Sequence, residues 1–157
     1  MTVTNATFVI ERQLSVPRRQ VFAAYTSLEA KSAWFKTPIE AEILDRSLDF
    51  SVGGKERFRA RWPSGLISDF QATYHDIVEN ERIVLVYDLF HDDKKLSVSL
   101  QTIELKAEGD ETRLIHTEQA AYFSGGMEAV QGREHGTAWH VDNLVAILEG
   151  REARAFG

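Results

Sequence analysis

The chain contains no cysteine, which excludes disulfides, thiolate nucleophiles and cysteine-based zinc sites. It also lacks long hydrophobic runs. No stretch approaches the ~20 apolar residues of a transmembrane helix. The opening MTVTNATFVIERQ has neither the basic start nor the apolar run of a signal peptide. Basic residues are in deficit, 18 Lys and Arg against 24 Asp and Glu, for a formal net charge of −6. That balance argues against nucleic acid as the main partner, because neutralising phosphates needs a basic surface, and against an anionic membrane surface. H-E-x-x-H, G-x-S-x-G and Walker-type loops are all missing. So are internal repeats, low-complexity tracts and linkers, and residues 1–157 read as a single domain. The expected location is the cytoplasm.

What is present is an ordinary globular composition, 43% hydrophobic and 27% charged, with a clear change of period along the chain. Phe8, Ile10 and Leu14 alternate with Val9, Glu11 and Gln13, so Thr7–Leu14 reads as a strand. Ser15 stands where it would cap a helix with Pro17 in its first turn and Val21, Phe22 and Tyr25 on its apolar face. Thr26-Ser27-Leu28-Glu29 is a capping-box pattern for a second short helix ending near Trp34-Phe35, which Pro38 prevents from continuing. Gly53-Gly54 reads as a two-residue hairpin turn leading into a strand where Phe58, Ala60 and Trp62 alternate with Arg57, Arg59 and Arg61. Ile67–Val78, Arg82–Phe90, a strand from Leu96 and Thr112–Tyr122 follow, joined by short turns. The spacing near Thr102-Ile103 predicts a bulge. Phe123–Gly132 reads as a glycine-bearing connection. Val141, Leu144, Val145 and Leu148 form the apolar stripe of a last helix over Gly136–Glu152. The tail from Arg151 is expected to fray.

Short loops imply antiparallel pairing, so the expected fold is α+β, a sheet of about seven antiparallel strands around a long final helix in the order β-α-α-β(6)-α. That is the helix-grip order. Nuclear transport factor 2-like cones begin with helices and end on strands, and lipocalin-like barrels lack the early helix pair.

Several segments are similar to a known family. Val16-Pro17-Arg18, Val21-Phe22 and Trp34-Phe35 with Pro38 resemble the opening of the activator of Hsp90 ATPase homologue-like family of the START-like (SRPBCC) superfamily. Asp49–Gly54 resembles its D-x-x-x-G-G hairpin, and Phe70–Val86 resembles its central strand pair through Tyr74, Ile77, Arg82 and Val84. Gly136 and Leu144–Glu149 resemble its closing helix. The chain departs from the pattern at Asn80, where the family often carries Pro, and at Trp139, which comes later than the usual helix-opening Trp. The resemblance implies a deep, mostly apolar cavity between sheet and helix. It carries over no catalytic residue.

The candidate residues follow from this layout. Trp34, Phe58, Trp62, Phe70, Tyr74, Tyr87, His116, His140 and Leu144 are the candidate wall or mouth residues for a ligand, chosen for aromatic and apolar alternation and for histidines near the interior. His116 and Glu118 share a strand face with Leu114 and form the best acid–base candidate, with His140 as the other, set against a purely structural role. Trp139 either closes the cavity mouth or packs on the Phe123–Met127 segment. Arg12 either meets a ligand carboxylate or pairs with Glu118 or Asp76, since a buried charge needs a partner. The Arg57, Arg59 and Arg61 row is either a docking strip for an acidic partner or, by default, a solvated outer face. His91-Asp92-Asp93 falls in a turn, where Asp serves the backbone, so no metal and no cofactor is expected.

Three functions remain in play. The first is binding of a small apolar or amphipathic molecule. The second is a protein-interaction module of the co-chaperone kind, although the chain has no second domain for bipartite chaperone binding. The third is a cyclase- or dehydratase-type enzyme resting on His116, Glu118 or His140. Either a monomer or a homodimer is compatible with the composition.

Overall fold

The computed structural model describes residues 2–156. The elements are β1 (Thr4–Leu14), α1 (Arg18–Thr26), α2 (Leu28–Ser32), β2 (Glu42–Leu48), β3 (Lys55–Arg61), β4 (Ile67–Val78), β5 (Arg82–His91), β6 (Lys94–Glu108), β7 (Glu111–Tyr122) and α3 (Gly126–Leu148). All seven strands pair antiparallel in the order β1-β7-β6-β5-β4-β3-β2. The helix-grip order is therefore present, with α3 seated on β1 and β7 and meeting α1. Because α3 leans to that side, the inner faces of the central strands are left with space above them.

Alternation decides what fills the interior. Phe8, Ile10 and Leu14 of β1, Ile83 and Leu85 of β5, Ile103 and Leu105 of β6 and Leu114 of β7 all point inward. They meet Val21, Phe22 and Tyr25 of α1 and the Val141-Leu144-Val145 stripe of α3, with Leu14, Ile83, Leu114 and Leu144 sealed from solvent. Burial of that apolar surface, at about 25 cal/mol per Å², is the main force holding α3 down.

Local details differ from the sequence expectations for identifiable reasons. Pro17, not Ser15, caps α1, and its carbonyl accepts from Gln20 N at 3.0 Å. Ser15 is drawn instead to the other end of the chain, where its backbone N–H and hydroxyl donate to Glu149 Oε2 at 2.9 and 3.0 Å. Ser27 rather than Thr26 caps α2, its Oγ accepting from Ala30 N at 3.2 Å. The β2–β3 connection is Asp49–Gly54 and not a two-residue turn. It folds tightly enough that a Cβ on Gly54 would sit 2.1 Å from the Asp49 carbonyl oxygen, so only glycine fits. Asn80 has a φ of 63°, which a proline ring forbids, so the β4–β5 turn departs from the family pattern for a backbone reason.

Two larger corrections concern β6 and α3. Pairing of β6 with both neighbours runs unbroken through Thr102 and Ile103. The irregularity lies at Leu96, because Leu89 pairs with Ser97 while Phe90 pairs with Lys95. Helix α3 begins at Gly126, ten residues before the expected start, so most of the supposed connection is helix. The tail after α3 also packs. Trp139 Nε1 donates to the Arg154 carbonyl at 2.9 Å, and the Phe156 ring stands against Trp139 at 5.4 Å and His135 at 4.9 Å.

Candidate ligand-binding cavity

The space between α3 and the central strands is a cavity of about 490 Å³, within the ~300–1,000 Å³ of small-molecule sites. One wall is aromatic. Phe35, just past α2, contacts Phe58 of β3 at 5.7 Å, Phe70 of β4 at 5.0 Å and His140 of α3 at 4.9 Å. Phe70 in turn lies 4.7 Å from Tyr87 of β5. Arg46 fixes Phe35 from outside, donating to its carbonyl oxygen, with its guanidinium 3.8 Å over the Phe58 ring. Trp62 Nε1 donates to Ser68 Oγ at 2.9 Å, which presents the indole as part of the wall. Exposed lining residues mark the mouth, Lys36 on one side and Gly125 and Gly132 of the α3 entry on the other.

The opposite wall is polar, because β6 turns Gln101 into it and buries Ser97 and Ser99 beneath Arg133, where its other half turns Ile103 and Leu105 inward. Register places Gln101 opposite Glu118 of β7, and Ser99 opposite Tyr87. Glu118 is fully buried and accepts from Tyr87 Oη at 2.7 Å and Gln101 Nε2 at 2.9 Å, with His116 Nε2 at 3.4 Å. Arg133 of α3 closes the cluster. It donates to Tyr87 Oη at 2.9 Å, Ser97 Oγ at 2.9 Å and Ser99 Oγ at 3.4 Å, and its Nη1 lies 3.7 Å from Glu118 Oε2. Burial alone would raise the Glu118 pKa. The His116 hydrogen bond and charge, the Arg133 charge and the Tyr87 hydrogen bond outweigh it and hold the carboxyl below its usual range. Burial and the same carboxylate push the Tyr87 phenol up, so it stays a donor.

A second buried pair underlies the aromatic wall. Lys31 Nζ lies 2.6 Å from Glu56 Oε1, and Tyr74 Oη donates to the same oxygen at 2.6 Å. The ammonium faces the Phe35 ring at 4.9 Å. His140 is neutral. Its Nε2–H donates to the Lys36 carbonyl at 2.8 Å, and burial lowers its pKa to about 4, with Lys31, Arg46 and His116 adding to the depression. His91, also on the lining, is lowered by burial and by the Arg133 charge.

Of the residues singled out from sequence, the cavity wall brings together Trp34, Phe58, Trp62, Phe70, Tyr87, His116 and His140. Tyr74 lies behind the wall on Glu56, Leu144 is sealed in the core, and Glu118 stands behind Tyr87 and Gln101. Trp139 faces the tail, away from the mouth. Arg12 meets neither proposed partner and pairs with Asp142 of α3 at 2.7 Å. The arginine row is neutralised on the outer face, Arg57 by Asp69 at 2.8 Å and Arg61 by Glu42 at 2.8 Å. Asp92, at a φ of 53°, ties its turn to the start of β4, its carboxylate accepting from Ile67 N at 3.1 Å. Among the described residues no group of three or more His, Asp or Glu could hold a metal ion, and no helix is long and apolar enough to cross a membrane.

Arg133, Lys31, Phe35 and His91 are lining residues that the sequence reading missed. For Arg133 a signal existed. Running the stripe back from Val141 by turns of the helix gives Thr137 and then Arg133.

Comparison with known proteins agrees with this architecture. The family model described as Activator of Hsp90 ATPase homolog 1-like protein matches residues 15–149. An uncharacterized protein from Rhizobium leguminosarum is 37% identical over 96% of this chain and 98% of its own, with a TM-score of 0.88. The Mll3558 protein from Rhizobium loti is 36% identical over 93% and 99%, with a TM-score of 0.84. Protein CV1439 from Chromobacterium violaceum shares the fold at 24% identity over 91% and 96%, with a TM-score of 0.72. No curated protein matches the chain.

Proposed function

The chain belongs to the activator of Hsp90 ATPase homolog 1-like family, and we propose that this member holds a small apolar or amphipathic molecule between its curved sheet and α3. The observation that carries the reading is the cavity of about 490 Å³ with one aromatic and one polar wall. Apolar enclosure supplies affinity, and a few fixed polar groups supply orientation. In this reading Phe35, Phe58, Phe70 and Trp62 take the apolar body, while Arg133, His91 and His116 face its polar end.

Glu118 is a brace in this scheme. Its carboxylate already accepts from Tyr87 and Gln101 and faces His116 and Arg133, which holds it as an anion and leaves it poorly suited to deliver a proton. Thermal shifts across a panel of lipids, aromatic acids and polyketide-like compounds test the proposal. A ligand present at a hundred times its dissociation constant adds about 2.7 kcal/mol, a rise of several degrees for a chain of this size. No shift from any compound counts decisively against it. The family description also carries the interaction-module reading. Hsp90 ATPase stimulation by the purified chain separates the two, and no stimulation is expected.

A further inference from the structure

We propose that the cavity is built for an organic anion, with the acidic group of the ligand on Arg133. This rests on the ligand-binding reading above and names its chemical class. The chain as a whole is acidic, yet the cavity lining contains Lys31, Lys36 and Arg133 with His91, His116 and His140, and no Asp or Glu. The two carboxylates nearby stand behind the wall, Glu56 beneath Lys31 and Glu118 beneath Arg133. A ligand entering between Lys36 and Gly132 therefore meets cations first.

Arg133 itself is incompletely answered. A guanidinium carries five N–H donors. Three hydrogen bonds are made, all to neutral hydroxyl oxygens of Tyr87, Ser97 and Ser99. The closest carboxylate oxygen, Glu118 Oε2, lies at 3.7 Å and does not accept a hydrogen bond. Two donors are left without a protein acceptor among the described residues, on a side chain only 15% exposed. A ligand without an acceptor would leave those donors desolvated and unpaired, and a neutral acceptor would pair them without answering the charge, whereas a carboxylate, sulfonate or phosphate does both. The position of Arg133 is held in place: its guanidinium lies 5.3 Å over the Tyr122 ring and 5.7 Å over that of Tyr87. Tyr87 joins the halves of the site, its hydroxyl on Arg133 and its ring on Phe70 at 4.7 Å. The ligand that matches has an acidic group directly attached to, or a few bonds from, a flat apolar body.

Two dyes that differ only by a sulfonate group provide the test: anilinonaphthalene sulfonate and its uncharged parent, phenylnaphthylamine. Fluorescence titration of the intact chain is expected to give one-to-one binding, with the sulfonate at least about tenfold tighter, as for one charge-assisted contact. Arg133→Gln brings the ratio close to one, and Arg133→Lys keeps most of it. Because Arg133→Gln leaves Glu118 buried without its cation, the double variant E118Q/R133Q is measured beside it, and the same collapse is expected. Equal affinity for the two dyes in the wild type, or a sulfonate preference that survives both neutral variants, overturns the anion assignment while leaving the cavity reading in place. Binding of neither dye overturns both.

Discussion

Replacing Gly132 and Gly136 by alanine should make this protein more stable. Both lie inside α3, where glycine costs about 0.8–1.0 kcal/mol relative to alanine. Neither has a positive φ, and a Cβ built at either position meets nothing within 4 Å. The backbone needs no glycine there, and no neighbour has to move. The pair together should add about 2 kcal/mol, which for a chain of this length raises Tm by about 4–8 °C. Urea unfolding with an unchanged slope and a higher midpoint is the confirming measurement. Both glycines line the cavity, so a side chain there takes up cavity space and not core space. Gly132→Leu and Gly136→Leu should then stay folded and as stable as the wild type while losing dye binding, because the side chain projects into the cavity. Destabilisation of the alanine pair by more than about 1 kcal/mol would refute the reasoning. It would mean that α3 approaches its surroundings closely at these points and that the mouth is elsewhere.

Acidification should weaken the fold before carboxylates titrate. The folded-state pKa of His140 is about 4 against about 6.5 unfolded, so the unfolded chain binds the extra proton and stability falls as pH drops between those values. Unfolding free energies from urea titrations at pH 7 and pH 5 should differ by about 2 kcal/mol, and His140→Gln, which keeps a donor for the Lys36 carbonyl, should flatten the difference. Glu118→Ala should cost about 3–5 kcal/mol, because Arg133 loses its counter-charge in a buried setting, and chemical denaturation reads it directly. Lys31→Met should cost a similar amount by stranding Glu56, and the double variant K31M/E56L should recover most of it, since the pair is replaced by apolar groups of similar size. Deleting residues 151–157 should strip the cover from Trp139 and red-shift tryptophan emission, while the dye-binding cavity, which Trp139 does not line, is unaffected.

The strand set and the final helix are legible in the chain because alternation is clean where one face is core. Phe58, Ala60 and the intervening arginines leave no doubt about β3, and Val141, Leu144 and Val145 identify α3. Legibility ends where the interior is not apolar. Along β6 the apolar residues change parity between Leu100 and Ile103, which reads as a bulge under the rule that apolar means inward. The strand in fact keeps its phase, and its inward face changes from serine and glutamine to isoleucine and leucine. The same rule hid the first turns of α3. Glycines at 125, 132 and 136 look like a loop, and Arg133 looks like a surface residue, because the face they present is a cavity. Tyr74 and Leu144 carry the inward parity of wall residues but lie at levels already filled by Lys31, Glu56 and the core. Parity gives the face of a strand but not the depth along it.

The split inner face of β6 has a consequence for how such a molecule changes over time. One continuous strand, in unbroken register with β7 from Ser97 to Glu108, supplies both part of the cavity wall and part of the packed core. Substitutions at Leu96 and Gln101 of β6, and at Leu89 on the neighbouring β5, alter what the chamber accepts. Those at Leu105 and Leu114 alter whether the chain folds. Selection for a new cargo can therefore work on the first group while purifying selection guards the second, a few residues away on the same ribbon. A scaffold divided in this way can diversify in what it carries without renegotiating its stability each time.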